Sequence, residues 1–210
     1  MQPAGAIAAT PYWKPRLARA AGWALLGAAS LLLGWWAVEW LAAQGLDMNW
    51  TVGPIEIGLG VLCVGLVYSG ALAVAMWRTG HAGWRRAAGF AVLATPWFAF
   101  GWNAGFILGW NMRGIPDFLG PFLIWFAGLL TAGVWMTLAG ILMLPMLRSR
   151  TAVAWLLGSS AGFAVLAGTV AIADFYDLLD KMQYVVAAWC AVHAAALSLA
   201  LPRARQPAVA

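Results

Sequence analysis

Six stretches of this chain run for about twenty residues or more without one formal charge: Ala20–Val38, Ile57–Trp77, Ala87–Trp110, Phe118–Leu144, Ala152–Ala173 and Met182–Leu201. A helix rises about 1.5 Å per residue and needs about 20 apolar residues to cross the hydrocarbon of a bilayer. Each run is therefore long enough to span. In lipid, every backbone polar group must be satisfied internally, which leaves helices or closed barrels. Barrel strands are shorter and alternate in polarity, and these runs do not alternate. The expectation is an all-α integral membrane protein: a six-transmembrane-helix bundle with no soluble domain.

Composition agrees with that solvent. The chain has 210 residues, of which 64% are hydrophobic and 9% charged, with a mean hydropathy of +0.82. Soluble domains carry about 25% charged residues, and this sequence cannot cover a globule with polar surface. The net charge of +5 does not form a basic patch of the kind that binds nucleic acid, so no nucleic-acid partner is expected. The basic residues fall in short clusters between the apolar runs, as membrane-flanking charge does.

Those clusters set an orientation. Lys14, Arg16, Arg19, Arg78, Arg85, Arg86, Arg148, Arg150, Arg203 and Arg205 fall on one side of a six-span arrangement, and only Arg113 and Lys181 on the other. By the positive-inside rule the first side is cytoplasmic. Residues 1–19 then read as a cytoplasmic N-terminal segment and residues 202–210 as a cytoplasmic tail. The transmembrane domain covers residues 20–201, with spans at about 20–43, 55–77, 87–110, 118–144, 152–173 and 182–201. The first run exceeds the roughly 7–15 residues of a signal-peptide core and is read as a retained helix. The bacterial cytoplasmic (inner) membrane is the expected location. Trp35, Trp36, Trp40, Trp50 and Trp110 at one end, with Trp13, Trp23, Trp77, Trp84 and Trp155 at the other, suit an interfacial belt.

The third run holds the densest pattern. Gly101, Gly105 and Gly109 recur every four residues on one helix face. Small residues at that spacing let backbones approach closely where no hydrophobic force acts between helices. They are expected to form a helix-packing or partner face, docking either a membrane-protein partner or a second copy of the chain. Pro96 lacks an amide hydrogen and should bend the helix. Trp97, Trp135 and Trp189 lie near mid-span, where each indole N–H must find a protein partner; Asn103, Thr95, Thr131, Thr137 and the Val92 carbonyl are candidates. With Asn103, Phe106 and Trp125 they outline an expected ligand pocket between the third and fourth helices. Such a pocket would suit a bound lipid, quinone or carotenoid, or an organic cation.

Glu39, Glu56, Asp174 and Asp177 lie toward the opposite side from the basic clusters and could form an outer acidic vestibule. Residues 174–181 read as a short helical extension of the fifth span. Haem ligation by two imidazoles is not expected, because His81 lies in a loop and only His193 is within a span. Cys63 and Cys190 lie in apolar runs without a CxxC, and no metal site or catalytic motif is apparent. The function expected from these features is an accessory or structural subunit docking in a larger membrane complex through the glycine-striped helix. The alternative is a small-solute transporter, or a membrane module binding a hydrophobic or cationic ligand in an aromatic-lined pocket.

Overall fold

The structure is a computed structural model that describes residues 14–52, 55–112, 120–143, 150–176, 178 and 181–201. Six helices follow in chain order: α1 (Lys14–Ala43), α2 (Leu59–Arg78), α3 (Trp84–Met112), α4 (Gly120–Met143), α5 (Arg150–Phe175) and α6 (Met182–Ala200). Five of them, all but α4, are long and apolar enough to cross a membrane; the apolar stretch described in α4 is the shorter Phe122–Leu138. Outward faces carry bare apolar side chains, among them Leu25, Val92, Phe122 and Val192, each about 70% exposed. A surface of that kind needs lipid as its solvent. The chain is a helical, multi-pass membrane protein.

Between α1 and α2 the expectation of a short loop leading straight into a helix near residue 55 is corrected. Asn49–Val52 (β1) and Ile55–Gly58 (β2) form an antiparallel hairpin, with Trp50 opposite Ile57 and Thr51 opposite Glu56. The β-branched residues Thr51, Val52, Ile55 and Ile57 favour a pleated backbone over helix, and only two residues separate the strands. The Gly60 amide then donates to the Met48 carbonyl at 2.9 Å, fastening the start of α2 to the hairpin. The expected extension of the fifth span is also corrected where it is described: α5 ends at Phe175 and Tyr176 is already in a turn, while residues 177, 179 and 180 lie outside the described residues.

Two glycines shape the ends of α1 and α2. Gly45 (φ 83°) and Gly80 (φ 72°) take left-handed backbone, which costs a Cβ-bearing residue about 1–2 kcal/mol. After α1, the Gly45 and Leu46 amides donate to the Ala42 and Leu41 carbonyls. After α2, the Gly80 and His81 amides donate to those of Trp77 and Met76. Both are Schellman closures, which satisfy carbonyls a helix end leaves open. The second sets His81 against the bundle.

Helix adjacency is set by glycine at nearly every seam. A methyl group placed on Gly27 of α1 would sit 2.6 Å from the Cys190 carbonyl oxygen of α6, and one on Gly34 3.1 Å from Val64 Cα of α2. Gly65 of α2 meets the Phe98 ring of α3, and Gly128 of α4 meets Gly168 of α5. Helix α5 packs along both α3 and α4 and so lies between them, while α1 packs along α6. The core runs through Tyr68, Leu72, Met76, Phe98, Phe163, Val170 and Val186, all fully buried.

Candidate functional site

The glycine row of α3 is occupied within the chain. A methyl group on Gly101 would lie 2.6 Å from the Phe163 carbonyl oxygen, and one on Gly105 would run into the Ala167 carbonyl; both belong to α5. The face expected to dock another subunit therefore carries α5 at these two positions. The side-chain surroundings of Gly109 lie outside those described.

Trp97 was expected to seek a partner near its own helix or on the fourth span. Its indole N–H donates instead to Ser160 Oγ of α5 at 2.8 Å, and the Ser160 hydroxyl donates onward to the Leu156 carbonyl at 2.8 Å. Asn103 Nδ2 donates to the Ala99 carbonyl one turn back at 2.9 Å. Trp125 rests against Gly168 of α5, Phe106 is partly exposed, and Trp189 is buried beside His193. The Trp135 side chain lies outside those described. With α5 between α3 and α4, these residues are spread over several seams.

The buried polar centre lies among α2, α5 and α6. Tyr68 Oη is 2.7 Å from His193 Nδ1 and 3.3 Å from the Cys190 carbonyl oxygen. A hydroxyl has one proton, and a carbonyl can only accept. Both bonds form together when Nδ1 carries the imidazole proton and donates to Tyr68, whose own proton goes to Cys190. Nε2 is then a lone pair, and it has no partner among the described residues. Trp189 stacks on the imidazole at 4.8 Å with an interplanar angle of 12°, and Phe163 and Tyr68 pack beside it. A methyl group on Gly162 would collide with the ring. Tyr68 escaped notice in the sequence; the one available signal was that a hydroxyl at mid-span needs a partner.

At the end of the bundle where α1 begins, Arg19 holds three segments together. Its guanidinium donates to the Ser198 carbonyl of α6 at 2.8 Å and lies 3.2 Å from His81 Nε2. Because Arg19 only donates, Nε2 must present its lone pair and Nδ1 its proton, which meets Thr79 Oγ1 at 2.7 Å. Burial, and secondarily the Arg19 charge, hold the His81 pKa below its ordinary value. Trp23 sets its ring edge-on to His81 at 6.3 Å. Trp23 and Trp155, both expected as interfacial anchors, are buried instead, while Trp36, Trp40, Trp77 and Trp84 are exposed as anchors should be.

At the hairpin end a pocket of about 200 Å³ opens between α1, α2 and α3. Trp35, Phe98 and Trp102 supply aromatic walls, Val38, Val61, Val64 and Met48 aliphatic ones, and Glu39 the one formal charge among the described residues that line it. The rings of Trp35 and Trp102 lie 5.8 Å apart, and those of Phe98 and Trp102 6.3 Å. The Trp35 indole N–H donates to Glu39 Oε1 at 2.7 Å, which fixes the carboxylate one helical turn from the ring. Of the other expected vestibule acids, Glu56 stands in β2 and Asp174 near the end of α5 with their side chains outside those described; Asp177 lies outside the described residues. Compared with protein-family models, with curated proteins and with solved structures, the chain matches none.

Proposed function

We propose that this protein is a six-span membrane module that captures a small organic cation at its hairpin end, in the pocket walled by Trp35, Phe98 and Trp102 and edged by Glu39. The observation that carries the reading is the carboxylate held by Trp35 at the rim of an aromatic-walled cavity. Aromatic faces attract a cation through their quadrupole, by about 0.5–2 kcal/mol per ring depending on solvation. A neighbouring carboxylate adds direct Coulombic attraction that is stronger away from bulk water. Quaternary ammonium groups suit such a site because they offer charge without a hydrogen-bond donor that would have to be satisfied. The docking-subunit reading rested on the absence of charge within the spans, the lack of a soluble domain and the α3 glycine row; of these, the glycine row is covered by α5 at Gly101 and Gly105.

The same reading takes α4 as the sixth span and the Arg19, Arg78, Arg85 and Arg86 end as cytoplasmic, supported by the basic asymmetry. The pocket then faces the opposite compartment. Calorimetric titration of the purified protein in detergent with benzyltrimethylammonium tests the function. Binding should appear, should fall at least about tenfold in Glu39→Gln and Trp102→Leu, and should not be reproduced by neutral benzyl alcohol. Equal binding of the neutral compound, or wild-type affinity in both variants, overturns it.

A further inference from the structure

A second cavity, of about 180 Å³, lies at the opposite end of the bundle along the seam of α3 and α5. Residues 86, 89, 90, 93, 94 and 97 recur at helical spacing and give it one wall from α3; Trp155, Leu156 and Ser159 give the other. The volume exceeds the about 150 Å³ of apolar cavities that take up benzene-sized guests. Gly89 opens it, since a methyl group there would meet nothing within 4 Å.

Three polar groups mark its length. Arg86, three residues into α3, is exposed at the mouth. Trp155 comes next, its ring edge-on to Phe90 at 6.3 Å. Ser159 lies deeper, beside the Ser160 that Trp97 reaches. Trp155 is 8% exposed and Ser159 3%, yet among the described residues the indole Nε1 and the hydroxyl Oγ have no hydrogen-bond partner. The adjacent Ser160 returns its hydroxyl to the Leu156 carbonyl; Ser159 makes no such bond. A buried donor left unpaired costs about 1–3 kcal/mol, and an indole N–H can only donate. The missing partner must therefore carry an acceptor.

We infer that this groove holds one net-anionic phospholipid of the adjoining leaflet. Its phosphate lies at Arg86, its ester carbonyls accept from Trp155 and Ser159, and the start of an acyl chain runs along Phe90, Leu93 and Trp97. The sequence of groups in the groove, a cation at the mouth, then donors, then an apolar wall, is the order in which a phospholipid presents phosphate, ester and chain. A guanidinium binds a phosphate through two parallel N–H bonds. A zwitterionic headgroup brings its own ammonium to compete for that phosphate, which is why net negative charge is selected. The site is separate from the cation pocket and independent of it.

The test is native mass spectrometry of the protein released from bilayers of equal phosphatidylglycerol and phosphatidylcholine. The wild type should retain one phosphatidylglycerol in preference to phosphatidylcholine. Arg86→Gln should reduce that retention about tenfold, with partial recovery in Arg86→Lys. Gly89→Leu, which fills the opening where no neighbour crowds the backbone, should abolish it in a folded protein. Equal retention of both lipids, or retention unchanged in Arg86→Gln and Gly89→Leu, overturns the assignment.

Discussion

Tyr68 Oη and His193 Nδ1 stand 2.7 Å apart, both side chains buried between α2 and α6. This bond joins two helices far apart in sequence at a depth where no water competes. Tyr68→Phe leaves the imidazole N–H unpaired and should destabilise the bundle by about 1–3 kcal/mol. His193→Leu leaves the Tyr68 hydroxyl its bond to the Cys190 carbonyl, so its cost comes from lost packing against Trp189 and Phe163. Replacing both should cost less than the sum, because removing both partners leaves no orphan. Thermal unfolding of the four proteins in one detergent checks the coupling; strict additivity would deny it.

The glycines separate into two kinds, and alanine should distinguish them by sign. At Gly105 the added methyl runs into the Ala167 carbonyl, and displaced backbone should cost about 1–3 kcal/mol. At Gly70 of α2 nothing lies within 4 Å, so the gain in helix propensity should stabilise by up to about 1 kcal/mol. Melting temperatures moving in opposite directions are the expected result.

Much of this was legible in the sequence, and the reason is the length of the apolar runs. Their uncharged stretches marked five of the helices to within about three residues, because a bilayer sets a minimum length that few other constraints imitate. They fell five or six residues short at each end of α1, where charged residues continue the helix. Which helix lies beside which is not carried by length. Nothing in the pattern of α5 announced that it would lie between α3 and α4, so Trp97 was paired with the wrong candidates and Ser160 was missed. The hairpin was hidden because Ile57 and Gly58 continue directly into the uncharged run of α2, so the end of the strand reads as the start of the helix. Glu39 was recognised as an outer acid, and its bond to Trp35 lies within α1 at a spacing of four residues, but the nearness of Trp102 depends on how α1 and α3 meet.

Trp97 and Ser160 offer an asymmetric pair. Ser160→Ala removes the acceptor and leaves the indole N–H of Trp97 with no partner from that hydroxyl, a loss of about 1–3 kcal/mol. Trp97→Phe removes the donor, while the serine hydroxyl keeps its bond to the Leu156 carbonyl. That variant should lose less. Unfolding midpoints ranking Ser160→Ala below Trp97→Phe would bear this out, and the reverse order would refute it.

His81 makes part of the stability depend on pH. Its folded pKa lies below the ordinary value of 6.5, so as pH falls below about 6.5 the unfolded chain takes up the proton first. The contribution is complete above that pH and is lost as pH falls from 6.5 towards the folded pKa. A proton on Nε2 would also remove the lone pair that Arg19 addresses. The melting temperature should therefore drop between pH 7.5 and 5.5, and His81→Gln should drop less. Parallel profiles would remove His81 as the cause.

The place of α5 has a consequence for the order of synthesis. Helices enter a membrane in the sequence in which the ribosome delivers them, yet the element that fills the α3 notches at Gly101 and Gly105 is the fifth of six. The partner that closes against α1 is the last. Until α5 arrives, α3 and α4 lack the helix that joins them, and until α6 arrives Arg19 has no Ser198 carbonyl to bind. On the proposed six-span reading the newborn chain can already pack α1 on α2 and α2 on α3, but the bundle is completed only by the two segments made last.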